Sequence, residues 1–297
     1  MSIDFEIRIA AINWLNDQIK IHGDVLPRVL LRKGFEFRGM RIPLVSPQGI
    51  FKPKQMELPL SITTSPNSPY DDSFDYQDNL LYKYRGTDPA HRDNVGLRNV
   101  MKKELPLIYF HGMVPGRYLA IFPVYIIGDS PGSLTFTVAA DDKELLTESS
   151  APKVEDSAGR RSYITTQVKQ RLHQRGFRER VLAAYRSQCS FCELKHERLL
   201  DAAHIVPDDQ PEGIPTVNNG LALCKIHHAA FDQYIIGVTP DYQLKIRTDI
   251  LQEIDGSMLR HGIQELHDHN LILPKSKTAW PDRDLLDWRY NKFRTAG

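Results

Sequence analysis

The stretch CKIHHAAFD, residues 224–232, places one cysteine, two adjacent histidines and an aspartate within nine positions. Neighbouring residues of a helix point about 100° apart. His227 and His228 on one helix therefore face different surroundings and can serve two purposes. His227 closes a C-x2-H knuckle with Cys224, and a C-x2-C knuckle, CSFC, formed by Cys189 and Cys192, precedes it with 31 residues between Cys192 and Cys224. The chain has only these three cysteines. An odd, clustered set of thiols in a chain read as cytoplasmic points to a metal rather than to disulfides. Three thiolates and an imidazole in two tight knuckles make the closed tetrahedral set of structural zinc, so Cys189, Cys192, Cys224 and His227 are expected to hold Zn2+.

The second histidine belongs to another group. Asp232 follows His228 by four residues, which puts both side chains on one helix face. Such a pair can hold a harder divalent ion while leaving positions open for water and substrate oxygen. Between the two knuckles lie LLDAAHIVP, a strand-like run ending at His204, and TVNNGLALC, where Asn219 precedes a second short strand. The order is His, Asn, His along a strand–loop–strand–helix segment.

AHIVP, NNGLALC and HHAAFD resemble the HNH endonuclease family, whose ββα-metal fold cuts nucleic-acid backbones. From about residue 175 to the end, some 120 residues, the chain resembles the C-terminal half of predicted bacterial HNH restriction endonucleases. The resemblance implies a one-metal phosphodiester hydrolysis. His204 would be the general base toward the attacking water, Asn219 would orient the His204 loop and approach the metal, and His228 with Asp232 would hold Mg2+ or Mn2+ against the scissile phosphate. The chain departs from the pattern at Ala203, where many members carry a metal-ligating Asp or His. By spacing Asp232 replaces that ligand, with Asp201 second.

Outside this segment the chain has an ordinary soluble composition: 41% hydrophobic, 25% charged, net charge +1 over 297 residues. That length suits two domains. No run approaches the length of a membrane span. The opening MSIDFEIRIAAINW mixes Asp4 and Glu6 into its apolar residues, unlike a secretory leader, so a cytoplasmic location is expected. Residues 141–156 carry six acids and two lysines, which reads as a connector. Residues 160–186 carry eight Arg/Lys and one Glu, a helical stretch suited to DNA phosphates. The expected fold is α+β: a mostly-β domain over 1–145, a linker over 146–159, and a zinc-stapled ββα-metal nuclease domain with flanking helices over 160–297. In the first domain Phe5, Ile9, Ile12, Leu15 and Ile19 predict an opening helix. The run PLIYFHGMVPGRYLAIFPVYIIGDSPGSLTFTV predicts strands punctuated by Gly and Pro. The stretch Ser46–Asn79 predicts a short strand with a long loop.

The segments SITTSPNSPYDDSFDYQDNLLYKYRGTDPAHRDN, LPLIYF and GRYLAIFPVYIIGD resemble SRA (SET-and-RING-associated) domains, PUA-like β-barrels that extrude a modified cytosine from duplex DNA. That resemblance implies Tyr70 and Tyr84 as the aromatic faces enclosing the base, Asp71 or Asp72 as acceptors for its exocyclic amine, and Arg85 facing phosphate. A flipped base needs such stacking surfaces and hydrogen bonds. The partner expected is double-stranded DNA carrying a modified base. A homodimer would cut both strands. An alternative gives the first domain a small molecule, nucleotide or protein to sense, releasing a silent nuclease for defence. A further alternative is a zinc-stapled DNA-binding module without catalysis, which Ala203 would favour.

Overall fold

In the computed structural model, which describes residues 2–65, 73–74, 80–141 and 157–296, the apolar runs of the first half are strands buried on both faces. The chain divides into two compact units, Met1–Arg175 and Gly176–Gly297. The first contains helix α1 (Ile3–His22), β1 (Val25–Pro27), α2 (Arg28–Lys33), β2 (Phe35–Phe37), β3 (Met40–Ile42), β4 (Ile50–Phe51), β5 (Ser61–Thr64), β6 (Ser73–Phe74), β7 (Leu80–Lys83), α3 (Arg92–Lys102), β8 (Leu107–Val114), β9 (Arg117–Ser130) and β10 (Thr135–Ala140). Helix α4 (Ser157–Ala184) begins in this unit and ends in the next. Seven strands run in the order β4-β5-β8-β9-β10-β7-β6, and β1 pairs with β9 outside that path. Among the described strands of this sheet, only the β5–β8 pair is parallel. The sheet curls into a half-barrel within a mixed α+β architecture.

Both faces of this sheet are covered, which is why β8 and β9 read as nearly continuous apolar runs rather than alternating ones. On one face Ile108, Phe110, Tyr118, Ala120 and Phe122 pack with Ile7, Ala11 and Leu15 of α1. On the other Tyr109, Leu119, Ile121, Val124 and Phe136 pack with Leu97 and Val100 of α3 and with Leu172 of α4. Gly116 makes the β8–β9 turn with φ +80°, a left-handed conformation that glycine adopts without a Cβ penalty. Helix α1 forms as expected, but its buried stripe is Asp4, Ile7, Arg8, Ala11, Ile12 and Leu15. The expected face is rotated because a charged side chain lies in the core. Arg8 is fully buried, with Nη1 donating to Pro106 O at 2.8 Å and Nη2 to Pro59 O at 2.7 Å. Burial pulls its pKa down to about 10, against the opposing pull of Asp4. Asp4 in turn accepts from the backbone of Glu57 and Leu58. No helix among the described residues is long and apolar enough to cross a membrane.

The second unit contains the end of α4, β11 (Leu200–His204), β12 (Gly220–Cys224), α5 (Lys225–Asp232), β13 (Ile236–Val238), β14 (Leu244–Ile246), α6 (Thr248–Gln252), α7 (Ser257–Gly262) and α8 (Arg283–Thr295). Strands β11 and β12 are antiparallel, with His204 opposite Gly220, and α5 follows at once. Phe177, Val181 and Tyr185 of α4 close one side of the core over Leu221, Leu223 and Phe231. Two basic residues of α4, part-buried Arg178 and exposed Arg180, bond backbone carbonyls of the same unit. Arg178 donates to Glu197 O and Leu200 O, and Arg180 to Pro215 O.

At Gly220 the side chains of α4 pack directly on the hairpin. A Cβ there would stand 2.5 Å from Val181 Cγ2 and 3.0 Å from Phe177 Cζ. Gly220→Ala is therefore expected to cost about 1–3 kcal/mol by overpacking. Thermal melting of the second unit checks this, and an unchanged midpoint would contradict the close approach.

Candidate functional site

The first site is a sulfur-rich cluster. Cys189 and Cys192 sit on a tight knuckle closed by Cys189 N–H donating to Leu194 O at 2.9 Å and Glu193 N–H to Cys189 O at 3.0 Å. Cys224 ends β12 and His227 lies in the first turn of α5. The four ligand atoms all lie within 4.8 Å of one another. His227 Nδ1 stands 3.5 Å from Cys189 Sγ and 3.3 Å from Cys224 Sγ. A zinc bound to one sulfur and one nitrogen tetrahedrally spaces them by about 3.6 Å, given its usual bond lengths. The donor set therefore fits a metal ion of that kind. His227 Nε2 faces Gly262 O at 2.6 Å and donates to it, leaving Nδ1 as the ligand. Burial opposes charge on His227, but hydrogen bonds to Cys189 and Cys224 outweigh it and push its pKa up to about 10. Hydrogen bonds from Cys189 and Cys192 hold Cys224 far toward thiolate. Without an ion the cluster keeps a proton on the imidazole, and an ion must displace it.

The second site lies on the other side of the same helix turn. His227 is buried and His228 is one-quarter exposed. His228 Nε2 is 3.3 Å from Asp232 Oδ2, and its Nδ1 is 3.9 Å from Asp201 Oδ2. Asp201 is a charge neighbour rather than a hydrogen-bond partner at that distance, and Arg178 Nε lies 3.5 Å from it. The two carboxylates face opposite nitrogens of the ring, Asp232 the Nε2 side and Asp201 the Nδ1 side. One imidazole and one carboxylate fit a hard divalent ion that keeps several waters.

His204 ends β11 beside this pair. Its ring stacks on Phe177 with centroids 4.0 Å apart and planes 12° off parallel. The missing Cβ of Gly220 gives Phe177 that place. Burial pulls the His204 pKa down, the charge of Asp208 opposes this, His228 adds to it and Asp232 opposes it. Its Nε2 is buried without a hydrogen-bond partner among the described residues. A neutral imidazole with a bare, buried nitrogen next to a hard-ion pair can accept a proton from a water held there.

Asn219 does not reach these groups. It is fully buried, its Oδ1 accepts from Val206 N–H at 2.8 Å, and its Nδ2 donates to Val206 O at 2.9 Å and Ile214 O at 3.1 Å. It thereby fixes the chain that leaves His204. The fold also supplies residues that no motif announces: Phe177 over the imidazole, Gly262 behind the sulfur cluster, and Arg289 of α8. The Arg289 guanidinium reaches Phe231 O at 2.8 Å and Asp232 Oδ1 at 3.5 Å. Arg289 carries one detectable signal in sequence, since it occupies the apolar stripe between Leu286 and Phe293. His261 and His267 stand apart, bonded to Glu265 and to Ile246 N–H.

Among the residues singled out in the first unit, Tyr70, Asp71 and Asp72 lie outside the described residues. Tyr84 is buried, its ring 4.6 Å from that of Phe136. Its hydroxyl hydrogen-bonds Asp129 and accepts from Arg98 at 3.2 Å. Burial and the Asp129 hydrogen bond raise its pKa. Arg85 pairs with Asp93. Both nonetheless line a cleft of about 400 Å³ together with Arg28, Gly49, Tyr82 and Lys83.

Residues 189–239 match the model of the HNH endonuclease family. Among curated proteins none matches the chain. Among solved structures, one titled "Modification dependent TagI restriction endonuclease" is similar at 16% identity with a TM-score of 0.29, over 79% of this chain and 81% of that one. Another, titled "Structure of the Type IV phosphorothioation-dependent restriction endonuclease ScoMcrA", is similar at 14% identity with a TM-score of 0.22, over 79% of this chain and 56% of that one. The chain thus spans little more than half of the second structure's length. At these TM-scores neither fixes how the whole chain folds. The family match, over residues 189–239 of the second unit, supports a phosphodiester-hydrolysing nuclease.

Proposed function

With an HNH endonuclease segment as the premise, we propose that the protein is a divalent-metal-dependent DNA endonuclease that restricts DNA carrying a modified base, read by the first unit. The carrying observation is the bare, buried Nε2 of His204 beside the His228–Asp232 pair. In this reading His204 takes the proton of the attacking water. His228 and Asp232 hold Mg2+ or Mn2+, which supplies charge stabilisation at the phosphate. Asn219 keeps the His204 loop in register. Cys189, Cys192, Cys224 and His227 bind Zn2+ as a structural clamp. One such centre cuts one strand, so a double-strand break takes two copies of the chain.

The first unit is read as an SRA-like, PUA-type recognition barrel with its cleft as the nucleotide pocket. The volume, about 400 Å³, lies in the range of small-ligand sites. The cleft carries three cations, Arg28, Lys83 and Arg85, and no carboxylate among its lining residues. Of these only Arg85 has an acidic partner among the described residues. Gly49 keeps the floor open, since a Cβ there would stand 2.9 Å from Tyr82 Oη. Cations with hydroxyls suit a phosphate-borne nucleotide.

The test is cleavage, with Mn2+, of one plasmid prepared with and without cytosine modification. We expect cutting of the modified plasmid, and loss of that preference in an Arg28→Ala/Lys83→Ala variant that still binds metal. Equal cutting of both plasmids by the wild type would refute the modified-base reading and leave the nuclease. Binding of a small ligand by the chain, without affinity for DNA, would replace it with a sensor.

A further inference from the structure

Asp232 is not the end of the ion pair's wiring. Its Oδ2 faces His228, while its Oδ1 lies 3.5 Å from Arg289 Nη2. Arg289 is 4% exposed, and Asp232 is its one acidic partner among the described residues. The guanidinium lies between two aromatic faces, 4.2 Å from the Phe231 ring and 4.7 Å from the Tyr234 ring. Nη2 also donates to Phe231 O at 2.8 Å, and Nη1 to Ile205 O at 3.4 Å. Ile205 directly follows His204, and Phe231 directly precedes Asp232. One planar cation thus bridges the exit of β11, the last turn of α5 and the carboxylate that faces His228.

A buried cation of this kind is expensive unless compensated, and here the compensation comes from two carbonyls, two rings and Asp232. Its fork geometry divides the carboxylate. Oδ1 is occupied by the guanidinium, so Oδ2 remains for whatever His228 binds. Lysine, a point charge without the planar fork, cannot reach the same three points.

We propose that Arg289 is a positioning residue for the hydrolytic ion: it fixes Asp232 with Oδ2 toward His228 and holds that carboxylate at a set distance from His204. The proposal rests on the reading of His228 and Asp232 as ligands of the divalent ion. Outer partners of metal ligands ordinarily contribute 10- to 100-fold in affinity, which sets the expected size.

The experiment measures Mn2+ affinity of the full chain by electron paramagnetic resonance, with cleavage against Mn2+ concentration as a second readout. The variants are Arg289→Met, Arg289→Lys, Asp232→Asn and the double variants Arg289→Met/Asp232→Asn and Arg289→Lys/Asp232→Asn. Arg289→Met is expected to weaken Mn2+ binding at least about tenfold and to shift half-maximal cleavage to higher Mn2+ by a similar factor. In the Asp232→Asn background the same substitution should change Mn2+ affinity little, because Arg289 acts through that carboxylate. Zinc content reports folding. If Arg289→Met does not retain zinc, Arg289→Lys decides by the same cycle. Undiminished Mn2+ affinity in the Arg289 variants, or an equal loss with and without Asp232, overturns the proposal. Undiminished affinity in Asp232→Asn and in His228→Ala would instead overturn the ligand assignment on which it stands.

Discussion

Replacing His204 by alanine should leave a folded, metal-loaded protein that cleaves DNA about 10²- to 10⁴-fold more slowly, the usual range for losing a general base. The expectation comes from geometry rather than from the presence of a histidine. The Nε2 has no partner among the described residues, so no internal hydrogen bond must break before it accepts a proton. Burial against Phe177 lowers the pKa and keeps the ring neutral at physiological pH. The sign for pH follows directly. The base works deprotonated, so a depressed pKa preserves activity to lower pH, and the acid limb of the rate profile should lie below the ordinary imidazole value near 6.5. His204→Gln keeps much of the side-chain volume and should be equally slow. Cleavage by His204→Ala within twofold of wild type, with the acid limb unmoved, would remove His204 from the mechanism.

Stripping the sulfur cluster should have the largest structural effect. Zinc binding in comparable sites is worth about 10–16 kcal/mol at neutral pH, against roughly 5–15 kcal/mol for the whole stability of a domain. Cys224→Ser, or prolonged chelation, is therefore expected to unfold the β11–β12–α5 segment, with loss of one bound metal per chain and recovery on adding Zn2+ to chelated wild type. Loading should release protons, since His227 sits protonated in the ion-free cluster. A Cys224→Ser protein that melts within a few degrees of wild type would show that the cluster does not carry the fold.

The legible parts of this protein are those where chemistry is written as spacing. Two knuckles 31 residues apart and the adjacent pair His227–His228 give the cluster and the helix directly. The structure brings Cys189, Cys192, Cys224 and His227 together, and places His204 on the first strand and His228 on the helix of one ββα segment. What was hidden is carried by long-range contacts with no periodic mark. Arg8 and Arg289 are buried in their helices, but their residue type reads as solvent-facing, and even the place of Arg289 on the apolar stripe does not say what it bonds. In each, distant backbone carbonyls accept from Nη1 and Nη2. Phe177 reads as ordinary helix packing until the fold shows that Gly220 leaves room for its ring over His204. The acidic Asp201, placed second by spacing, faces the Nδ1 side of His228, a distinction that strand periodicity cannot make.

The adjacency of His227 and His228 has a consequence for transplanting this nuclease. Under the proposed assignment, two ions gripped from consecutive residues would be locked in angular phase by the helix itself. Adding or deleting one residue between them would swing the downstream imidazole by about 100° and empty one seat or the other. Anyone grafting the cutting hairpin onto a new scaffold must therefore move the thiolate clamp with it, as a single indivisible cassette.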